Sequence, residues 1–249
     1  MNPQVKKFLP LILLVVGVLV VGGVFMMMKG KKMDVTDETG DDGVMIDVAL
    51  DKRPIVGLTP DSVGHYLKMH IEKIQIPNAK TMDYELVYQV PDQPAQGVPG
   101  SIDISDKTSF DADLLLGSES SGKFRYDEGV ETGMVTLRFR NDKGKLLTKF
   151  VSEFHMQQDQ KTLTSQDGKL TLELDKAPKG FFVTAQSIGV PALTSGEPKA
   201  GPYVIHSSLG DELNGKASIE GAKVYHFEGG GWKEAADGNV KNLGYFLGM

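Results

Sequence analysis

Beyond residue 43, apolar and polar positions alternate with a period of two along most of the chain. In TMDYELVYQV, Met82, Tyr84, Leu86, Tyr88 and Val90 share one face and Asp83, Glu85, Val87 and Gln89 the other, the pattern of a half-buried strand. MVTLRFR sends Val135, Leu137 and Phe139 inward and Thr136, Arg138 and Arg140 outward. Asn141 to Gly144 then reverse the chain into KLLTKFVSEFHM, where Phe150, Phe154 and Met156 oppose Lys149, Glu153 and His155. That is a hairpin. A second one is expected at Asp167-Gly168, a pair suited to a type I′ turn, with a return through Leu170, Leu172 and Leu174. Further strands are predicted near 101 to 105, 112 to 117, 123 to 127 and 180 to 187, and GSESSG at 117 to 122 reads as a polar loop between strands. The stretch from 59 to 74 fits two patterns. Thr59-Pro60-Asp61 resembles a helix start, with Val63, Tyr66, Leu67, His70, Ile71 and Ile74 at helical spacing. Leu67, Met69 and Ile71 also alternate with Lys68, His70 and Glu72. Gly64 and the flanking strands favour a turn at Asp61 to Gly64 followed by a strand.

The opening of the chain obeys a different rule. Phe8 to Met28 are 21 residues without a charge, which as a helix span roughly 30 Å, the thickness of a hydrocarbon core. A transmembrane helix over 8–28 is therefore predicted, with the lipid bilayer as its partner. Pro10 falls in its first turn, where a missing N–H does little harm. Lys6 and Lys7 flank one end and Lys29, Lys31 and Lys32 the other. A cleaved leader would carry small residues near its end, yet no alanine precedes Ala49, so the helix is expected to stay as an anchor. The flanking lysines do not decide orientation. The acidic tract after Lys32 does, because an inner leaflet rich in anionic lipid repels it. The expected arrangement is a plasma-membrane protein crossing once, with residues 1–7 cytoplasmic and the C-terminal part outside.

Residues 29–43 hold almost nothing apolar and read as an acidic stalk. Its carboxylates, Asp34, Asp37, Glu38, Asp41 and Asp42, lack the spacing of a calcium loop, because Thr39 and Met45 stand where Gly and Glu belong. Strands recurring every 8 to 15 residues without helices between them imply an antiparallel sandwich over 44–190. The Pro- and Gly-rich run at 191–201 reads as a linker. The remaining 202–249 are expected to form a smaller C-terminal β unit that packs on the sandwich or completes it.

IVGLTP, then YLKMHIEKI, then YELVYQV, is similar to the first three strands of an immunoglobulin or fibronectin-III module. LLLGSESSGKFRYDEGVETGMVTLRFRNDKGKLLTKFVSEFHM also resembles uncharacterised single-pass surface proteins of small-genome bacteria. The two resemblances cover roughly residues 50–190 and imply an Ig/fibronectin-III-like ectodomain, without assigning any residue a role.

Charge and chemistry narrow the function. The five lysines of residues 1–33 meet no carboxylate, so the other 216 residues carry a net −11. No cluster of Lys and Arg is visible beyond residue 32, which argues against nucleic acid as a partner. The absence of cysteine removes disulfides, thiolate metal sites and a thiol nucleophile. Gly117 to Gly122 puts Glu119 where a serine elbow needs Ser. Gly229-Gly230-Gly231, which runs into Trp232-Lys233-Glu234, lacks a phosphate-binding offset and reads as a hairpin tip. Asp127 and Glu128 are the carboxylates to inspect for glycoside hydrolysis. His206 and His226 are placed to meet across neighbouring strands, but two nitrogens make a weak metal site. No metal, cofactor or catalytic residue is assigned. Trp232 and Tyr225, beside the flexible glycines, are the candidate ligand-binding residues; the competing reading has Trp232 plugging the end of the sandwich. The expected function is a non-enzymatic surface interaction or adhesion module for a protein or glycan. A carboxylate-dependent glycan hydrolase and a subunit of a filament or layer are the alternatives.

Overall fold

The computed structural model describes residues 45–249; the predicted transmembrane helix over 8–28, its flanking lysines and the stalk lie outside the described residues. The described part is mainly β, and its sheets are antiparallel. In chain order its strands are β1 (Ile55–Pro60), β2 (Tyr66–Glu72), β3 (Thr81–Tyr88), β4 (Gln96–Asp103), β5 (Phe110–Leu115), β6 (Gly117–Ser120), β7 (Lys123–Tyr126), β8 (Thr132–Arg140) and β9 (Leu146–Gln158). There follow β10 (Thr162–Thr164), β11 (Leu170–Leu174), β12 (Phe181–Gln186), β13 (Ala200–Ser207), β14 (Gly215–Ile219), β15 (Val224–Glu228), β16 (Gly231–Glu234), β17 (Asn239–Val240) and β18 (Gly244–Gly248). Among the described residues no helix is long and apolar enough to cross a membrane.

Nine strands form one sheet in the order β16-β15-β18-β13-β12-β9-β8-β3-β4, accompanied by the sheets β1-β2-β5 and β10-β11-β14-β17 and by the hairpin β6-β7. The two smaller sheets cover opposite faces of the long one, as the alternation along β12 shows. Val183 and Ala185 belong to a core shared with β1, β2, β3, β8 and β9, whereas Phe182, which precedes them, belongs to a second core with β11, β14 and β18. β13 repeats this, with Val204 in the first core and Tyr203 and Ile205 in the second. Successive strand residues point to opposite faces, so β12 and β13 are roofed on both sides and read as apolar runs, FFVTA and YVI. Gly57 of β1 marks how closely the first roof sits: a Cβ there would lie 3.0 Å from His206 Nε2 on β13.

The turns follow from local chemistry. Asp61 Oδ1 accepts the N–H groups of His65 (2.8 Å) and Tyr66 (3.3 Å), which closes the expected turn and releases a strand, not a helix, at Tyr66. Asn141 Oδ1 does the same for Lys143 and Lys145. At Asp167-Gly168 only the glycine has positive φ, so the hairpin forms without the type I′ turn expected there. Asp167 instead holds the turn with its carboxylate, which accepts the Lys169 N–H at 3.1 Å and the Tyr203 hydroxyl at 2.8 Å. GSESSG is not a loop. Gly117–Ser120 pair with Lys123–Tyr126 around Ser121 and Gly122, both at positive φ, and this pair makes the tight turn that the sequence reading passed over.

Candidate functional site

The β6-β7 hairpin stands apart from the three larger sheets and presents aromatic rings to solvent. Phe124 is 48% and Tyr126 37% exposed. Two residues apart on one strand, they share a face, with ring centroids 6.1 Å apart and planes within 7°. Tyr126 also stacks on His65, at 3.8 Å and 4°, while Tyr66 meets it edge-on at 6.4 Å. Three parallel rings, Phe124, Tyr126 and His65, thus form a short ladder anchored at the β1–β2 turn. Val63 on the same turn is 57% exposed.

Beside this ladder opens a cleft of about 650 Å³ lined by His65, Glu128, Glu131, His155, Gln158 and Gln160, with Met156 and Phe181 as apolar wall. No lysine or arginine lines it. Gln157 is turned to the protein: it donates from Nε2 to the Thr164 carbonyl (3.2 Å) and accepts the Thr164 N–H (3.0 Å). His155 Nδ1 lies 3.0 Å from the same carbonyl and 3.2 Å from the Thr164 hydroxyl. Exposed amides and carboxylates and half-buried imidazoles therefore offer both donors and acceptors to a polar ligand.

Asp127 and Glu128, the carboxylates singled out from sequence, have diverged. Asp127 is buried, accepts the Tyr88 hydroxyl at 2.9 Å and lies 3.5 Å from Arg125, whereas Glu128 is exposed. Burial pushes the Tyr88 phenol far up, and the bond to Asp127 adds to the shift. Both carboxylates line the cleft, Asp127 as a buried acceptor for Tyr88 and Glu128 as an exposed group.

Trp232 and Tyr225 do come together, with Leu193, Thr194 and Ser195, around a smaller cleft of about 160 Å³. Trp232 is half-buried and belongs to neither core, so it does not plug the sandwich. Its indole N–H donates to the Ala192 carbonyl at 3.0 Å, pinning the loop before β13 to the edge strand β16, and its ring meets Phe227 edge-on at 5.4 Å. Tyr225 is tied to Glu234 through its hydroxyl at 3.4 Å. The other aromatics of this region disperse, Phe246 into the second core and Tyr245 onto the first. His206 and His226 do not meet, because β18 lies between β13 and β15. His226 stacks on Phe246, and His206 lies 3.4 Å from Asp211. No group of three or more metal-ligating side chains converges among the described residues.

The aromatic ladder escaped the sequence reading, although its signal was there: Phe124 and Tyr126 are two apart, across a Ser-Gly turn from GSES. Comparison of the chain with protein-family models, with curated proteins and with solved structures finds no match.

Proposed function

We propose that this protein is a non-enzymatic binding module of the cell surface, held to the plasma membrane by residues 8–28, and that its ligand is a neutral, hydroxyl-rich glycan. The observation that carries the reading is the exposed ladder of Phe124 and Tyr126, which continues through the stacked His65 into the lining of the 650 Å³ cleft. A sugar ring presents C–H faces that settle on aromatic rings, and hydroxyls that pair with amides and carboxylates such as Gln158, Gln160, Glu128 and Glu131. Strand order supports the Ig/fibronectin-III reading of the first core. β1-β2-β5 facing β4-β3-β8-β9 corresponds to the A-B-E and C′-C-F-G sheets of that class, with β6-β7 as an insertion between E and F. Hydrolysis finds less support, because Asp127 is committed to Tyr88. Filament growth by strand addition is disfavoured at both ends of the long sheet. β4 carries Pro99, and β16 is four residues long with Lys233 and Glu234, features that blunt an edge.

The test is titration of the full-length chain in mild detergent with neutral oligosaccharides, beside the Phe124→Ala/Tyr126→Ala variant. Two ring contacts at about 0.5–1.5 kcal/mol each predict a loss of roughly 5- to 150-fold. Unchanged affinity in that variant, or no saturable binding by the parent chain, refutes the proposal.

A further inference from the structure

A second cleft, of about 450 Å³, opens at a different place, between the loop before β13, the β10–β11 turn and β9. Its chemistry is the opposite of the first. Arg53, Lys149, Lys169 and Lys199 line it, against a single carboxylate, Asp167. Residues 20 to 96 positions from the next along the chain thus supply a cationic cup that no run of the chain reveals. It sits on an acidic body: the chain's 27 basic and 33 acidic residues, less the five of each before residue 45, leave a net −6.

Three of these charges, on Arg53, Lys169 and Lys199, remain open to a ligand. Arg53 donates Nε to the Val48 carbonyl at 2.8 Å and lies 5.9 Å over the Phe150 ring. That fixes the guanidinium while leaving its terminal nitrogens for a forked acceptor. Among the described residues no side-chain ion pair to a carboxylate is formed by Arg53, Lys169 or Lys199, although the Lys169 charge acts on Asp167 through space. The charge of Asp167, by contrast, is spent on the fold, through the Tyr203 hydroxyl, the Lys169 N–H, the Ser165 hydroxyl and, at 3.4 Å, the Gln186 amide. Like charges held together cost stability unless something neutralises them, and a concave site of this volume is in the range of small-ligand clefts, about 300–1,000 Å³.

We infer that this cleft binds an anionic sugar unit, with its oxyanion held by Arg53 and the two exposed lysines. The oxyanion is a carboxylate or a phosphate; both match a guanidinium fork flanked by point charges. The cup is compact, and of its two rings Tyr203 is buried and Phe150 lies beneath the Arg53 guanidinium, which leaves no run of open rings for the bases of a nucleic acid. The site is independent of the neutral-glycan cleft, and either proposal can fail alone.

The test is calorimetric titration of the full-length chain in mild detergent at low salt, with digalacturonate in one arm and glucose 1-phosphate in the other. Saturable binding is expected in at least one arm, and which arm responds identifies the oxyanion. Binding weakens at least tenfold in Lys169→Gln/Lys199→Gln and falls as salt is raised. Lys176→Gln/Lys241→Gln removes the same charge outside the cleft and shifts affinity less than twofold. Arg53→Lys keeps the charge but loses the fork, and weakens binding severalfold. Equal losses in the two double variants would mean only a bulk charge effect and overturn the site. So would silence in both arms, or a single-stranded oligonucleotide that binds more tightly than either sugar.

Discussion

Because β12 and β13 serve both cores, damage to one core must be felt across the whole described part. Phe139→Ala tests this. Phe139 on β8 is fully buried in the first core, edge-on to Phe150 at 6.0 Å. Removing such a ring costs about 3–5 kcal/mol in lost transfer energy and cavity. For a body of 150–250 residues each kcal/mol lowers the melting midpoint by about 2–4 °C, so a drop of roughly 6–20 °C is expected. The chain's one tryptophan, Trp232, lies on β16, six strand spacings from β8, or roughly 29 Å. It touches the second-core end of the sheet alone, which makes it a remote reporter. If β12 couples the cores, loss of the first exposes Val183, Ala185 and Val204 on the back of the second. Trp232 fluorescence and far-UV circular dichroism should then melt together at the lowered midpoint. A Trp232 transition that stays at the parental temperature while the dichroism splits in two would refute the coupling.

Four other outcomes follow from particular groups. Asp167→Ala should cost about 1–3 kcal/mol by urea denaturation, because it strands the buried Tyr203 hydroxyl without its acceptor. Although burial raises the Asp167 carboxyl, the hydrogen bonds from Ser165, Lys169 and Tyr203 outweigh it and hold the group below its ordinary value. Its contribution is therefore present above the unfolded value near pH 3.9 and lost as pH falls through the folded one; Asp167→Asn should shrink that acid-side loss in a stability–pH profile. The two histidines with opposite shifts act in opposite directions. Hydrogen bonds to Glu72 and Asp111 raise His70, so its contribution is complete below about pH 6.5 and disappears as pH rises through the folded value, a fall that His70→Gln should remove. Burial lowers His226, against the hydrogen bond to the Leu243 carbonyl. The unfolded chain then takes up a proton that the folded chain refuses, and stability drops as pH falls below about 6.5; His226→Gln should flatten that limb. Finally, the protein should stay in the membrane pellet after alkaline carbonate washing, and its release without detergent would count against the anchor.

The sequence by itself determined what depends on near neighbours. Alternation placed the strands of Thr81–Tyr88, Thr132–Arg140 and Leu146–Gln158, and Asp61, Asn141 and the paired glycines at 229 and 230 placed turns, because pleat and turn geometry are set by adjacent residues. Alternation does not say which strand lies beside which, and that choice belongs to contacts distant along the chain. Hence β18 came to separate His206 from His226, and Trp232 became a latch on Ala192 and not a core plug. β12 and β13 lacked the polar face of an ordinary strand because both their faces were to be covered. The two candidate sites belong to the tertiary structure for the same reason. A ring ladder needs His65 carried to Tyr126 across 61 positions, and a cationic cup needs Arg53, Lys149, Lys169 and Lys199 drawn from four separate segments. Charge that is dilute along the chain becomes concentrated only when sheet pairing brings those segments to one rim.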